Sequence, residues 1–161
     1  MRDKGSTPRH RSRTMTEKPF RLLPRLTETN DYFWTGGEHG ELRFLRCQDC
    51  GTWIHPWSPR CPSCLSKHLA PEAVSGNATV HGFTINYQPW IPGLDPPYVI
   101  AIVEFPEQVG LRLTTGIVGC EPDVVHVGMP VRVVFDNYED VWLPFFEPVD
   151  RDAGVNGGPG A

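Results

Sequence analysis

The stretch Arg46-Cys47-Gln48-Asp49-Cys50-Gly51, followed after a short insert by Cys61-Pro62-Ser63-Cys64, decides how this chain reads. Two Cys-x-x-Cys units parted by about ten residues are the sequence form of a four-thiolate metal site. Each unit makes a tight turn whose two sulfurs face one point, and two such turns face to face supply the tetrahedron that Zn²⁺ takes at about 2.3 Å per sulfur. Gly51 suits the first knuckle, because a residue without Cβ lets backbone N–H groups approach a thiolate. Pro62 stiffens the second. A redox Cys-x-x-Cys needs a strand-to-helix setting and leaves the second copy unexplained. A disulfide pair is disfavoured because the N-terminus shows no apolar signal core. Zinc is the expected metal, held structurally by Cys47, Cys50, Cys61 and Cys64. Rubredoxin-type iron uses the same ligands, and spacing alone does not separate the two. All four positions are thiolates, so none is left open for a catalytic water. Cys120 has no partner in sequence and reads as a small packing residue.

On either side of the first knuckle, Leu42-Arg43-Phe44-Leu45-Arg46 and Thr52-Trp53-Ile54-His55-Pro56-Trp57 are strand-like. Residues 41–72 therefore read as a zinc ribbon, too small to hold together without its metal. Upstream, the run from Leu26 to Trp34 starts a short helix with Thr27 as its cap, and Gly36-Gly37 is expected to stop it. Tyr32, Phe33 and Trp34 are consecutive, too many large groups for one narrow stripe; they pack on this chain or dock on another. Downstream, short β-rich segments recur at 78–87, 98–105, 111–118, 131–135 and 141–146, with Gly/Pro breakers between them. The run 98–105 is nearly all apolar, as a central strand would be. One helical turn, Glu121-Pro122-Asp123-Val124-Val125, falls between the third and fourth segments, which is the plan of a five-stranded OB barrel.

The composition agrees. The chain has 161 residues, 39% of them hydrophobic, with 16 Gly and 17 Pro, which favours turns and short strands over a helical bundle. No apolar run approaches the ~20 residues that span a bilayer, so a cytoplasmic protein is the expectation. Residues 1–18 carry six Lys/Arg against two acids, while the whole chain carries −4, which leaves −8 on the remainder. Such a body is a poor match for a polyphosphate backbone. The expected organisation is a disordered basic extension (1–18), a helix and zinc ribbon (19–72), an OB-fold barrel (73–149) and a flexible Gly-rich tail (150–161). Met15 leaves open a later natural start, which would remove residues 1–14.

The ordered series Gly40-Glu41-Leu42, Arg46-Cys47-x-x-Cys50-Gly51, Pro59-Arg60-Cys61-Pro62-x-Cys64, Ser75-Gly76, Pro97-Tyr98-Val99-Ile100-Ala101 and Val127-Gly128-Met129-Pro130-Val131 resembles the DUF35 family across residues 26–149. One departure is Ala78, where the family usually carries a second glycine. The resemblance implies an N-terminal helix, a rubredoxin-like zinc ribbon and a C-terminal OB-fold. It also implies a non-catalytic accessory subunit that stabilises a thiolase-like enzyme making or breaking carbon–carbon bonds of acyl-CoA. Such partners include lyases (aldolases) of steroid side-chain degradation, thiolases and acyltransferases. The steroid aldolase is the first expectation, in a heterotetramer of two plus two that shares the acyl-CoA and its channel.

The residues are consistent with that role. No Ser/His/Asp signature, glycine-rich phosphate loop or Cys–His pair outside the metal ligands is visible, and the six His are scattered. Catalysis is therefore expected to need the partner chain. The Pro-stiffened loop 88–97 presents Trp90, Ile91 and Leu94, an apolar tip that calls for a cover. Together with Tyr32, Phe33, Trp34, Trp53 and Trp57 these are the expected partner contacts. Arg60 and Arg112 are candidate cations for CoA phosphates. The alternative, a nucleic-acid-binding zinc-ribbon/OB module, would want basic residues among stacking aromatics on one barrel face, and the five barrel segments hold only Arg112 and Arg132.

Overall fold

A computed structural model describes residues 21–90 and 94–149; the expected extension 1–18, the tail 150–161 and Ile91 lie outside them. The first helix, α1 (Asp31–Thr35), is one residue over a single turn. Its start is held by a turn and not by a Thr27 side-chain cap. The Thr27 carbonyl accepts from the backbone N–H groups of Asn30 (3.0 Å) and Asp31 (2.9 Å), while Asn30 Oδ1 accepts from the Thr27 N–H (2.8 Å). The α-helix ends at Gly36-Gly37, as the sequence reading expects, with Gly36 as its C-cap. The chain continues as a 3₁₀ turn, Gly36–His39, and ends at Gly40, whose φ of 72° only glycine adopts freely. The pair of glycines also serves close approach. A Cβ on Gly37 would lie 2.5 Å from Trp142 Cβ and 2.6 Å from Phe135 Cδ1, and one on Gly36 would meet the Glu41 carbonyl.

The ribbon follows as expected from its strand-like flanks. β1 (Arg43–Cys47) pairs antiparallel with β2 (Trp53–Ile54) on one side and β3 (Leu69–Ala73) on the other. Then come β4 (Asn77–Asn86), β5 (Tyr98–Glu104), β6 (Arg112–Ile117), β7 (Pro130–Tyr138) and β8 (Val141–Pro148). They close into a barrel in the order β4-β5-β6-β8-β7. The 3₁₀ turn Pro122–Val124, with Pro at an allowed early position, sits between β6 and β7. β6 and β8 meet in parallel through Ile117 and Phe146, and the other barrel pairs are antiparallel. This is the OB-fold.

Period-2 alternation sends Val99, Ala101 and Val103 of β5 into the barrel and Ile100 and Ile102 out of it. The apolar run 98–105 is therefore not a strand buried on both faces. Ile100 is 39% and Ile102 41% exposed.

β1 is where ribbon and barrel join. Leu45 and Cys47 face a small core with Ile54 and Cys61, whereas Phe44, on the opposite face, belongs to the main core. From Phe44 a chain of ring contacts runs both ways. It reaches His55 (4.5 Å between centroids) and Phe33 (6.1 Å) above, and Phe105 (5.0 Å, edge-on) below, from which Phe146 is 5.9 Å away. Offset and edge-on aromatic pairs add about 0.5–1.5 kcal/mol each beyond their buried area. Gln108, in the loop between β5 and β6, clamps the seam. Its Oε1 accepts from the Trp53 backbone N–H (2.9 Å) and its Nε2 donates to the Trp53 carbonyl (3.1 Å), so that one side-chain amide completes the pairing of β2.

His55 is held between Phe33 and Phe44, and burial alone pushes its pKa down to about 4. The fold favours the neutral ring, so its contribution is complete above about pH 6.5 and is lost as pH falls toward 4. Between pH 7 and 4.5 the wild type is expected to lose about 2 kcal/mol more stability than His55→Phe, which keeps the stack but cannot take up a proton. Urea unfolding of the two proteins at both pH values measures this, and equal losses would count against a neutral His55 in the seam.

Candidate metal centre and partner-facing surfaces

The two knuckles have the same backbone. Gly51 N–H bonds back to the Cys47 carbonyl (2.9 Å), and Leu65 N–H to the Cys61 carbonyl (3.0 Å). Gly51 has φ 77° and Leu65 φ 62°. The second knuckle thus carries a leucine where the first has glycine, in a conformation that costs an ordinary residue about 1–2 kcal/mol. One sulfur from each knuckle pairs across the gap, Cys47 with Cys64 at 3.6 Å and Cys50 with Cys61 at 3.5 Å, and all four lie within 4.8 Å of one another. A tetrahedron of ligands about 2.3 Å from its centre has edges of about 3.8 Å, so the spacing fits one ion bound by four sulfurs.

The electrostatics ask for that ion. Hydrogen bonding to the Thr52 side chain and backbone pulls the Cys50 thiol down to about 6. Cys64 accepts from the Ser66 backbone, yet its sulfur neighbours and partial burial push it up to about 12. Four crowded thiols do not all ionise unless a cation sits among them. Ser63 N–H points at Cys61 Sγ (3.4 Å) and Thr52 Oγ1 lies 3.2 Å from Cys50 Sγ, the outer contacts that orient thiolates. These four cysteines form a metal-binding centre. Cys47 and Cys61 are buried and Cys50 and Cys64 exposed, so it opens on the surface.

The expected contact residues separate into two groups. Phe33 is turned inward, 7% exposed, because the ring seam needs it, so it is not available to a partner. Tyr32, Trp34 and Trp53 are half-buried against the core, and Trp53 also lies under the Arg46 guanidinium, 5.1 Å away. Trp57 (45%) and Trp90 (72%) are exposed, and Leu94 is partly buried at the margin of a surface hollow. Arg60 donates to the Leu65 carbonyl (3.2 Å), which braces the strained knuckle. Arg112 Nε holds Glu104 at 2.6 Å, and Arg132 holds Glu147 at 2.8 Å. The two arginines of the barrel segments, too few for a nucleic-acid face, are thus also paired with acids. Gln108 and His55 shape the seam without having been singled out. The amide's role rests on a contact between positions 55 residues apart, which no local pattern carries.

The residues match two domain descriptions in succession, the ChsH2 rubredoxin-like zinc ribbon over 34–70 and the ChsH2 C-terminal OB-fold domain over 71–136. The chain of a solved "Ltp2-ChsH2(DUF35) aldolase" is 32% identical, with a TM-score of 0.71 over 78% of this chain and 98% of that one. The protein belongs to the DUF35 family. A "DUF35 domain-containing scaffold protein" of Methanothermobacter thermautotrophicus is 37% identical over 56% of this chain and 68% of its own. Two longer relatives are the "Probable enoyl-CoA hydratase alpha subunit" of Thermomonospora curvata and the "3-oxo-4,17-pregnadiene-20-carboxyl-CoA hydratase alpha subunit" of Mycobacterium tuberculosis. They are 35% and 34% identical over 82% and 79% of this chain. This DUF35 chain spans about two fifths of their length, 42% and 40%.

The ribbon's own core is only Leu45, Ile54 and two of the ligands, so metal binding here is folding energy. Removing the ion with a chelator is expected to abolish amide protection in β1–β3 while β4–β8 keep theirs. Hydrogen exchange followed by mass spectrometry reads this, and a ribbon that stays protected after demetallation would contradict it.

Proposed function

We propose that this DUF35 chain is a non-catalytic accessory subunit that binds and stabilises a thiolase-like enzyme acting on a carbon–carbon bond of an acyl-CoA. The observation that carries the reading is its likeness, over nearly the whole of that chain, to the DUF35 component of an aldolase complex. The ion is read as Zn²⁺, a redox-inert ion suited to a closed four-sulfur structural site. Residues 19–72 act as one metal-stapled platform and 73–149 as the barrel that it braces. The partner is read as an aldolase, or lyase, of steroid side-chain degradation, in an assembly of two plus two. The pregnadiene carboxyl-CoA in the name of the M. tuberculosis relative supports a steroid thioester. Trp90, Ile91 and Leu94 are read as a loop beside the partner's acyl-CoA entrance, where Arg60 and Arg112 would give up their present partners to touch phosphate.

Affinity purification of the full chain from its native host is expected to bring down a thiolase-fold protein in equal amount, and cleavage of a steroid acyl-CoA is expected only when both are present. Turnover by the purified chain alone, or salt-dependent binding of single-stranded DNA without any thiolase-fold protein in the eluate, would overturn the reading.

A further inference from the structure

The outer wall of the barrel carries an apolar groove with one unsatisfied donor in it. On β5 the outward side chains are Ile100 and Ile102; in register beside them on β6 stand Gly116 and Thr114. The missing side chain at Gly116 lets the Phe145 ring lie against the sheet, where a Cβ would stand 2.9 Å from Phe145 Cδ1. The result is a hollow of about 390 Å³ walled by Tyr98, Ile100, Ile117, Val118 and Phe145. Across Thr114 and Gly116 it runs into a second, of about 280 Å³, bordered by Trp34 and Leu143. Arg21 reaches into the first. Its guanidinium sits 5.5 Å from the centre of the Phe145 ring, and its Nε is buried with no hydrogen-bond partner among the described residues. Among the described residues, no carboxylate lines either hollow.

A buried N–H left unpaired costs about 1–3 kcal/mol, more for a charged group, and none of the described residues relieves this one, so it can take an incoming acceptor. The surroundings define it: a single cation among aromatic and aliphatic walls, on a body whose remainder is acidic. A second copy of the chain is a poor occupant, because it would bring the same cation to the same place. Nucleic acid is also a poor one, because the described residues that line the two hollows hold one arginine and no further cation, which does not track a phosphate backbone. Arginine with aromatic walls is instead the composition of a protein–protein hot spot.

We propose that this groove seats the thiolase-like partner, taking an apolar stretch of the partner's surface with a carboxylate that closes on Arg21. This rests on the accessory-subunit reading and gives it a location. Leu94, one of the residues read as a partner contact, borders the same groove.

The test places the photo-crosslinker p-benzoylphenylalanine at Thr114, exposed within the groove, or at Val109, 93% exposed beside a different hollow, in the full chain expressed in its native host. Irradiation is expected to join position 114, and not 109, to a thiolase-fold protein through a peptide containing Asp or Glu. In the captured complex, Arg21→Gln is expected to weaken binding about tenfold or more while metal content stays unchanged. If the thiolase-fold protein co-purifies but crosslinks only from 109, or binds Arg21→Gln as tightly as wild type, the groove is not the seat and the accessory reading survives. A crosslink from 114 to a second copy or within the chain overturns the proposal in the same way. Absence of any thiolase-fold protein from the capture removes the accessory reading and the groove's occupant together.

Discussion

Four sulfurs from two knuckles hold β1 in place, and the join between ribbon and barrel is built on β1. Cys47 ends that strand and Phe44 lies three residues earlier on the opposite face, so the ion that fixes Cys47 also fixes where Phe44 enters the barrel. Phe44 meets Phe33 of the helix, His55 of the ribbon and Phe105 of the barrel. One coordination centre on the surface thereby orders a seam of rings that ends deep in the barrel at Phe146. A ribbon of this size has too little apolar surface to do so unaided. The same logic explains why a leucine is tolerated at φ 62° in the second knuckle: the metal and the Leu65 N–H bond to Cys61 over-determine that turn.

A subunit built this way has rigidity to offer. Its four metal-ligating positions are all thiolates, its Arg112 and Arg132 pair with Glu104 and Glu147, and burial among aromatic rings favours the neutral form of His55. What remains outward is shape and apolar surface: Ile100, Ile102, Trp57 and Trp90 on elements that the metal and the seam hold still. A partner that uses such a surface meets a preformed one and loses little ordering entropy.

The metal ligands and the order of elements were legible because their signals are local: Cys-x-x-Cys spacing, period-2 runs and Gly/Pro breakers. So was the turn at Pro122, whose proline sits where a helical start accepts it. What stayed illegible shares one cause, contact between distant positions. Gly36-Gly37 is legible as the helix stop, but not as the place where Trp142 and Phe135 press against Gly37. Phe33 looks like one of three exposed rings until Phe44 and His55 claim it. The run 98–105 is the central strand it reads as, between β4 and β6, but its composition does not tell that Ile100 and Ile102 face outward, and Gln108 and Arg21 carry no local mark at all.

X-ray absorption at the metal edge of the purified chain addresses the central constraint directly. Four sulfur scatterers at about 2.3 Å around one metal ion per chain are the predicted result. Mixed oxygen or nitrogen ligation, or a chain that folds metal-free with its cysteines joined as disulfides, would contradict a fold pinned by Cys47, Cys50, Cys61 and Cys64.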